Sequence, residues 1–210
     1  MKKTKERILQ GAKELFNAQG VANVSLRKIA ASLKISHSNL IYHFKTKNEL
    51  IEHLHQELLH IAKLENQKLR QEKNRILGLL RTMEKGFATL WDYRFFMIDL
   101  NFIMKENEAL HSFFLEVETL RSKMYQEEIE CLIGEGLMRG ESYVGEYAQL
   151  IKRIRIFSDY WIASAQIYDQ GEYQRVLKEY VQLFMSIFYP YLTVKGKKDF
   201  HLYIGVKGLG

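Results

Sequence analysis

Proline is almost missing from this chain: Pro190 is the one proline in 210 residues, beside 13 glycines. With so few breakers, an all-helical chain is the natural expectation. Cysteine is as scarce. Cys131 stands alone, which excludes an intramolecular disulfide and fits a reducing cytoplasm. Long apolar runs are lacking too. The longest uncharged stretch, Val181 to Val194, is too short for a membrane span and is interrupted by Pro190. Near the N-terminus, Glu6, Arg7 and Lys13 break up what would have to be the apolar core of a secretory signal. No Ser/His/Asp arrangement, phosphate loop or clustered cysteine set suggests catalysis, so neither enzymatic activity nor a cofactor is expected. His53, Glu57 and His60 share one helical face at i, i+4 and i+7, but no fourth ligand is evident, and no metal site is expected.

What is present is a globular composition, 47% hydrophobic and 27% charged, with ample material for a core. Its charge is unevenly spread. Residues 1–60 hold 10 Lys+Arg against 5 Asp+Glu, a net of +5, whereas the whole chain carries +6. A basic excess confined to one segment is the footprint of phosphate binding.

That segment contains Ser25 to Leu50, SLRKIAASLKISHSNLIYHFKTKNEL. Leu26, Ile29, Ala30 and Leu33 recur at i, i+3, i+4 and i+7, one apolar face of a helix. Ser36 stands as the N-cap of a second helix, and Ile35 and Leu40 can pack back on the first. His37, Ser38, Asn39 and Tyr42 are left outward. This is the layout of a helix-turn-helix, whose second helix offers its N-terminal side chains to base edges in the major groove. A helix from Thr4 to about Gln19, with Ile8, Ala12, Leu15 and Phe16 inward, completes a three-helix core. Thr46-x-x-Glu49 is a capping box that starts a fourth helix, expected to run to about Arg70 with Leu50, Ile51, Leu54, Leu58 and Ile61 buried.

Tyr42-His43-Phe44-Lys45 followed by Lys47, Glu49 and Leu50, with Leu26-Arg27-Lys28-Ile29-Ala30 upstream, resembles the DNA-binding signature of the TetR family of bacterial transcriptional regulators. Two positions depart from it. Lys34 occupies the turn where the family usually has Gly, which implies modest strain, and Ile41 replaces a common Tyr.

Downstream, Ile76, Leu79, Leu80, Met83, Phe87 and Leu90 resume the helical period, and a break is expected at residues 91–94. A dense apolar run, Phe95 to Met104, follows. A long helix is then expected from Glu108 to Gly134, and a Gly-rich loop ends it. Tyr147, Leu150, Ile154, Phe157, Trp161, Ala165 and Tyr168 form one stripe, and Tyr173, Leu177, Tyr180, Phe184, Ile187 and Tyr191 another. Gly171 separates them, so they read as an antiparallel hairpin suited to dimerisation. In the tail, Phe200 to Val206 alternates with a period of two, as a strand would.

The expected fold is therefore all-α, with about nine helices. Residues 1–46 form the helix-turn-helix domain, 47–192 a helical effector-binding and dimerisation domain, and 193–210 a tail of unassigned structure. The resemblance implies a cytoplasmic, ligand-responsive repressor that binds an inverted-repeat DNA operator as a homodimer through residues 146–191. His37, Ser38 and Asn39 are the expected base contacts, beside Ser36, and Asn39 suits adenine. Arg27 reaches a base or phosphate, while Ser25, Tyr42, Lys45 and Lys47 suit phosphates. For a partly apolar small-molecule effector the candidates are Trp91, Phe95, Asp99, Phe102, His111, Phe114, Tyr125 and Trp161. Asp99, inside an apolar run, must either have a buried partner or face a cavity. Alternatives are a ligand-independent regulator, one whose Cys131 senses oxidants, or a helical small-molecule carrier or enzyme.

Overall fold

The computed structural model describes residues 2–69, 73–169 and 171–206. Among them the chain is helical, with eleven α-helices: α1 (Lys2–Gln19), α2 (Leu26–Ser32), α3 (His37–His43), α4 (Lys47–Leu69), α5 (Arg75–Asp92), α6 (Arg94–Ile98), α7 (Leu100–Glu106), α8 (Glu108–Gly134), α9 (Glu146–Tyr168), α10 (Tyr173–Ser186) and α11 (Val194–Val206). Arg70, the expected end of the fourth helix, lies outside the described residues. The residues group into two compact units. The first comprises residues 1–62 and 89–114, the second 63–88 and 115–210. The first unit thus contains more than the stretch 1–46: it also includes the start of α4 and all of α6 and α7.

In the first unit, Ile8, Ala12 and Phe16 of α1 are buried with Ile29 and Ala30 of α2, Leu40 of α3, Phe44, and Leu50, Ile51 and Leu54 of α4. Gly11 explains how α1 and α2 come so close. A Cβ there would lie 2.7 Å from a methyl of Leu33. The second unit is closed by aromatic rings. Trp161 stacks on Phe87 at 4.8 Å, and Phe157 and Phe184 meet at 5.5 Å. Tyr180 meets Trp161 at 5.5 Å, donates to Asp169 at 2.7 Å and lies within hydrogen-bond distance of the Ser164 hydroxyl, so α9 and α10 run antiparallel. A cavity lined by Ile76, Leu80, Leu132, Met138 and Phe188 measures only about 10 Å³, room for a single water at most.

Three expectations change. The apolar run after residue 94 is two short helices, because the chain turns at Asp99, which ends α6 and begins α7. With α11 this raises the count above nine. The helix α10 stops at Ser186, ahead of a 3-10 turn, Tyr189–Tyr191, that accommodates Pro190. Within the tail, Val194–Val206 is a helix, not a strand, and residues 207–210 lie outside the described residues. Gly196, Phe200 and Tyr203 are the buried positions, spaced i, i+4 and i+7, and a seven-residue alternation is too short to distinguish the two periods. Thr193 starts α11 by accepting the Gly196 N–H at 3.2 Å. Gly196 is required where the helix crosses the 134–145 loop, since a Cβ would sit 2.1 Å from the Leu137 carbonyl oxygen. Tyr203 then anchors the helix by donating to Glu84 at 3.0 Å.

The loop itself is tied by a bidentate pair. Arg139 donates to Glu146 at 2.7 and 2.8 Å, and the Ser142 N–H adds a third bond at 2.7 Å. These donors hold the Glu146 carboxyl down to about 2.

Candidate nucleic-acid interface

The helix-turn-helix is assembled by backbone chemistry that leaves its outer face free. Ser25 caps α2 by accepting the Lys28 N–H, and Ser36 caps α3 by accepting the Asn39 N–H at 3.1 Å. Between them Lys34 takes the left-handed conformation, φ 54°, that a glycine would adopt without cost. The turn is held from both sides. Lys34 and Ile35 N–H groups donate to Ala31 and Ala30, and Arg7 of α1 donates to the Leu33 carbonyl at 3.0 Å. At the next start, Glu49 N–H donates to Thr46 at 3.1 Å, while the Glu49 carboxylate accepts from Lys45 N–H at 2.7 Å. The capping box is thus shifted by one residue on its return bond.

Around this frame the expected contacts fall into two groups. Ser25, Arg27, Ser36, Ser38, Asn39, Tyr42 and Lys45 are exposed. Tyr42 is 71% exposed, a large ring with no interior role. Ile41 is exposed beside it. His37 and Lys47 are half-buried. The Lys47 ammonium donates to the Val21 carbonyl at 2.8 Å, an internal bond. Phe44 is fully buried between Lys5, whose ammonium lies 5.2 Å from the ring, and the edge of His53. It fixes the end of α3.

The eight effector candidates divide between the two units, six in the first and two in the second. In the first unit, Phe95 is core, packed on Phe16 at 5.2 Å. Asp99 has a partner: it accepts the Val21 N–H at 2.6 Å. Phe102 and His111 are exposed, and Trp91 and Phe114 are half-buried. In the second unit Trp161 is core, and Tyr125 is half-buried near the Arg121 guanidinium.

One buried polar group was not singled out by its sequence. His55 of α4 is 3% exposed, stacked flat on Phe96 at 4.7 Å, with Phe113 edge-on at 5.8 Å. Its Nδ1 has no hydrogen-bond partner among the described residues. Burial pushes its pKa down to about 4, so the ring is neutral at pH 7. The signal was there: His55 follows Leu54 and precedes Leu58, on the edge of the apolar stripe. His53 and His60, by contrast, stand with Glu57 at a spacing that matches a metal pattern. Among the described residues no cluster of three or more His, Cys, Asp or Glu is placed to hold a metal.

Comparison with known proteins accords with this geometry. Residues 8–54 match the profile "Bacterial regulatory proteins, tetR family", and residues 46–200 match "Bacterial transcriptional repressor" of the TetR group. A stretch of 51 residues is 41% identical to "Probable HTH-type transcriptional regulator YttP" of Bacillus subtilis, covering 24% of this chain and 25% of that relative. The chain spans a quarter of that relative's length in this match. A TetR-family transcriptional regulator from Marinobacter aquaeolei VT8 superimposes with a TM-score of 0.82 at 24% identity, over 95% of this chain and 97% of the other. The ketosteroid transcriptional regulator KstR2 of Mycobacterium tuberculosis gives 0.68 at 17% identity, over 90% and 95%. A Saccharomonospora viridis protein solved in complex with choline gives 0.73 at 16% identity, over 90% and 97%. At these identities the structural likeness shows the fold, and the two profile matches show the kinship: the chain belongs to the TetR family of bacterial transcriptional regulators.

Proposed function

We propose that the protein is a cytoplasmic, effector-responsive repressor that binds an inverted-repeat operator as a homodimer. The observation that carries the DNA part is the exposed N-terminal half of α3. Ser38 and Asn39 stand clear of a rigid, doubly capped frame, with Arg27, Tyr42 and Lys45 around them. Ser38 and Asn39 are the base contacts in this reading, with Arg27 at a base or phosphate. Ser25, Tyr42 and Lys45 position the duplex through its phosphates.

Dimerisation is supported by a second stripe on α9. Leu150, Ile154, Trp161 and Ala165, from the stripe expected to dimerise, are buried within the second unit. Ile156, Tyr160 and Ile167, at i, i+4 and i+11, are exposed on the same helix, and so is Leu183 on α10. Apolar groups aligned at helical spacing on two helices suit a self-complementary, twofold interface. Two reading helices roughly 34–36 Å apart would then meet half-sites one turn apart.

An effector with an apolar body and one hydrogen-bonding group suits the His55, Phe96 and Phe113 cluster, where a polar nitrogen is buried among rings. The cation bound by the Saccharomonospora relative supports small organic molecules as the ligand class. Selection of duplexes from a random pool, followed by light scattering of the complex, tests the reading. A palindromic consensus bound by two chains is expected. An asymmetric single half-site bound by one chain overturns the dimer.

A further inference from the structure

The loop that delivers the chain into the helix-turn-helix is held by side chains from far along the sequence. Val21, buried in that loop, has both backbone groups engaged. Its N–H donates to the Asp99 carboxylate at 2.6 Å, and its carbonyl accepts from the Lys47 ammonium at 2.8 Å. Both bonds are charge-assisted, the stronger class. The preceding Gly20 is left-handed at φ +77°, and a Cβ there would lie 3.4 Å from the same Asp99 oxygen. One turn earlier, Asn17 is tied twice to the same region: it donates to the Asp92 carbonyl at 2.8 Å and accepts the Phe95 N–H at 3.0 Å. Asn48 donates to the Glu106 carbonyl at 3.1 Å, and Asn107 donates to Glu52 at 2.7 Å. All of these residues belong to the first compact unit.

Six side-chain hydrogen bonds therefore bind α1, the 20–24 loop and α4, five of them to residues 92–107. Ser25, the cap of α2, is four residues beyond Val21, and Arg27 is six. The loop has little freedom to move separately from Asp99. We propose that Asp99 is a positioning residue for DNA recognition: with Lys47 it clamps Val21 and transmits the position of the α6–α7 segment to α2 and α3. Lys47 then acts on the protein's own backbone and not on a phosphate. Asp99 serves recognition without touching DNA or effector. The proposal rests on the operator-binding reading above, and adds a second route beside α4 by which the middle of the chain reaches the reading helices.

The test uses the full chain and the duplex it selects from a random pool. Asp99→Ala removes the acceptor, Asp99→Asn keeps an acceptor without the charge, and Lys47→Met removes the second bond. Amide exchange at Val21, followed by NMR, reads the clamp. Affinity for the selected duplex against a scrambled one reads recognition. In Asp99→Ala, Val21 should exchange about tenfold faster and the specificity ratio should fall about tenfold, whereas Asp99→Asn should stay within about threefold of the parent. Lys47→Met should lower the ratio while leaving the salt dependence of binding unchanged; a phosphate contact would reduce the log–log slope by about 0.9. Faster Val21 exchange with an unaltered specificity ratio overturns the proposal, because the clamp would then be structural only. Unaltered Val21 exchange overturns it as well. A parent protein that enriches no duplex overturns the operator reading and the proposal with it, and the exchange data tell the two failures apart. If Asp99→Ala does not fold, Lys47→Met, which removes the other bond to Val21, carries the same comparison.

Discussion

Polar side chains are used in opposite ways in the two halves of the molecule. Around α2 and α3 they stand in water. Ser25 and Ser36 spend their oxygens on helix caps, and Arg27, Ser38, Asn39, Tyr42 and Lys45 remain exposed. Between α8 and α9 they are sunk. Glu118 and Asp159 are each 9% exposed, and both carboxylates converge on Arg121, at 2.7 and 3.4 Å. Burial raises the Asp159 pKa despite that guanidinium. Exposed groups are free to bind a partner. Buried ones have used their bonding capacity to hold two helices in register, and their loss costs stability, not recognition.

The sharpest way to break this contrast is Arg121→Met, which strands two buried carboxylates. The Arg121 side chain is one-third exposed, which screens part of the effect. A loss toward the lower end of about 3–5 kcal/mol is expected in urea unfolding, with operator affinity per folded molecule unchanged. An equal loss of DNA affinity would abolish the distinction.

His55 gives the next effect. Its folded pKa, about 4, lies below the ordinary 6.5 because burial disfavours the imidazolium. The unfolded chain therefore binds the extra proton first. Stability should be full above pH 6.5 and fall as the pH drops toward 4, by about 3 kcal/mol once below it. His55→Phe should remove that slope, as measured by melting temperature against pH. Glu146, held at about 2, adds a loss at lower pH, from 4.5 downward, that Glu146→Gln should erase.

Recognition should respond to changes that leave stability alone. Asn39→Ala should cost about 1–3 kcal/mol on the correct site and relax the preference at one base, seen by titration against single-base variants. Its melting temperature should hardly move, since the Asn39 backbone N–H, not its side chain, makes the cap. The smallest effect is Lys34→Gly. Relief of the left-handed strain, offset by the entropy of Gly, should stabilise by about 0.5 kcal/mol in the same urea assay.

The degree to which each feature could be read from sequence follows from how local its cause is. Ser25, Ser36 and Thr46 each precede a run of residues with helical apolar spacing, so the caps and helix starts at 26, 37 and 47 could be placed residue by residue. The bounds of α8 and α9 were legible for the same reason: Asn107 caps the first through the Leu110 N–H, and Gly145 ends the loop before the second. The tail was not legible in this way, because alternation over seven residues satisfies both periods. What chose the helix was a distant crossing, with Gly196 against Leu137 and Tyr203 on Glu84.

For the candidate site the same division holds. Sequence alone determined that there is a helix-turn-helix, that Ser38, Asn39 and Tyr42 face outward from it, and that the family is one of DNA-binding regulators, because those properties reside in about 25 consecutive residues. Only the tertiary structure decided that Lys47 bonds inward, that Asp99 answers Val21 across 78 positions, and that His55 is sealed among rings. A carboxylate in an apolar run announces that it needs a partner, since burial without one is costly. The identity of that partner depends on which distant backbone the fold brings within 3 Å, and no local pattern encodes it.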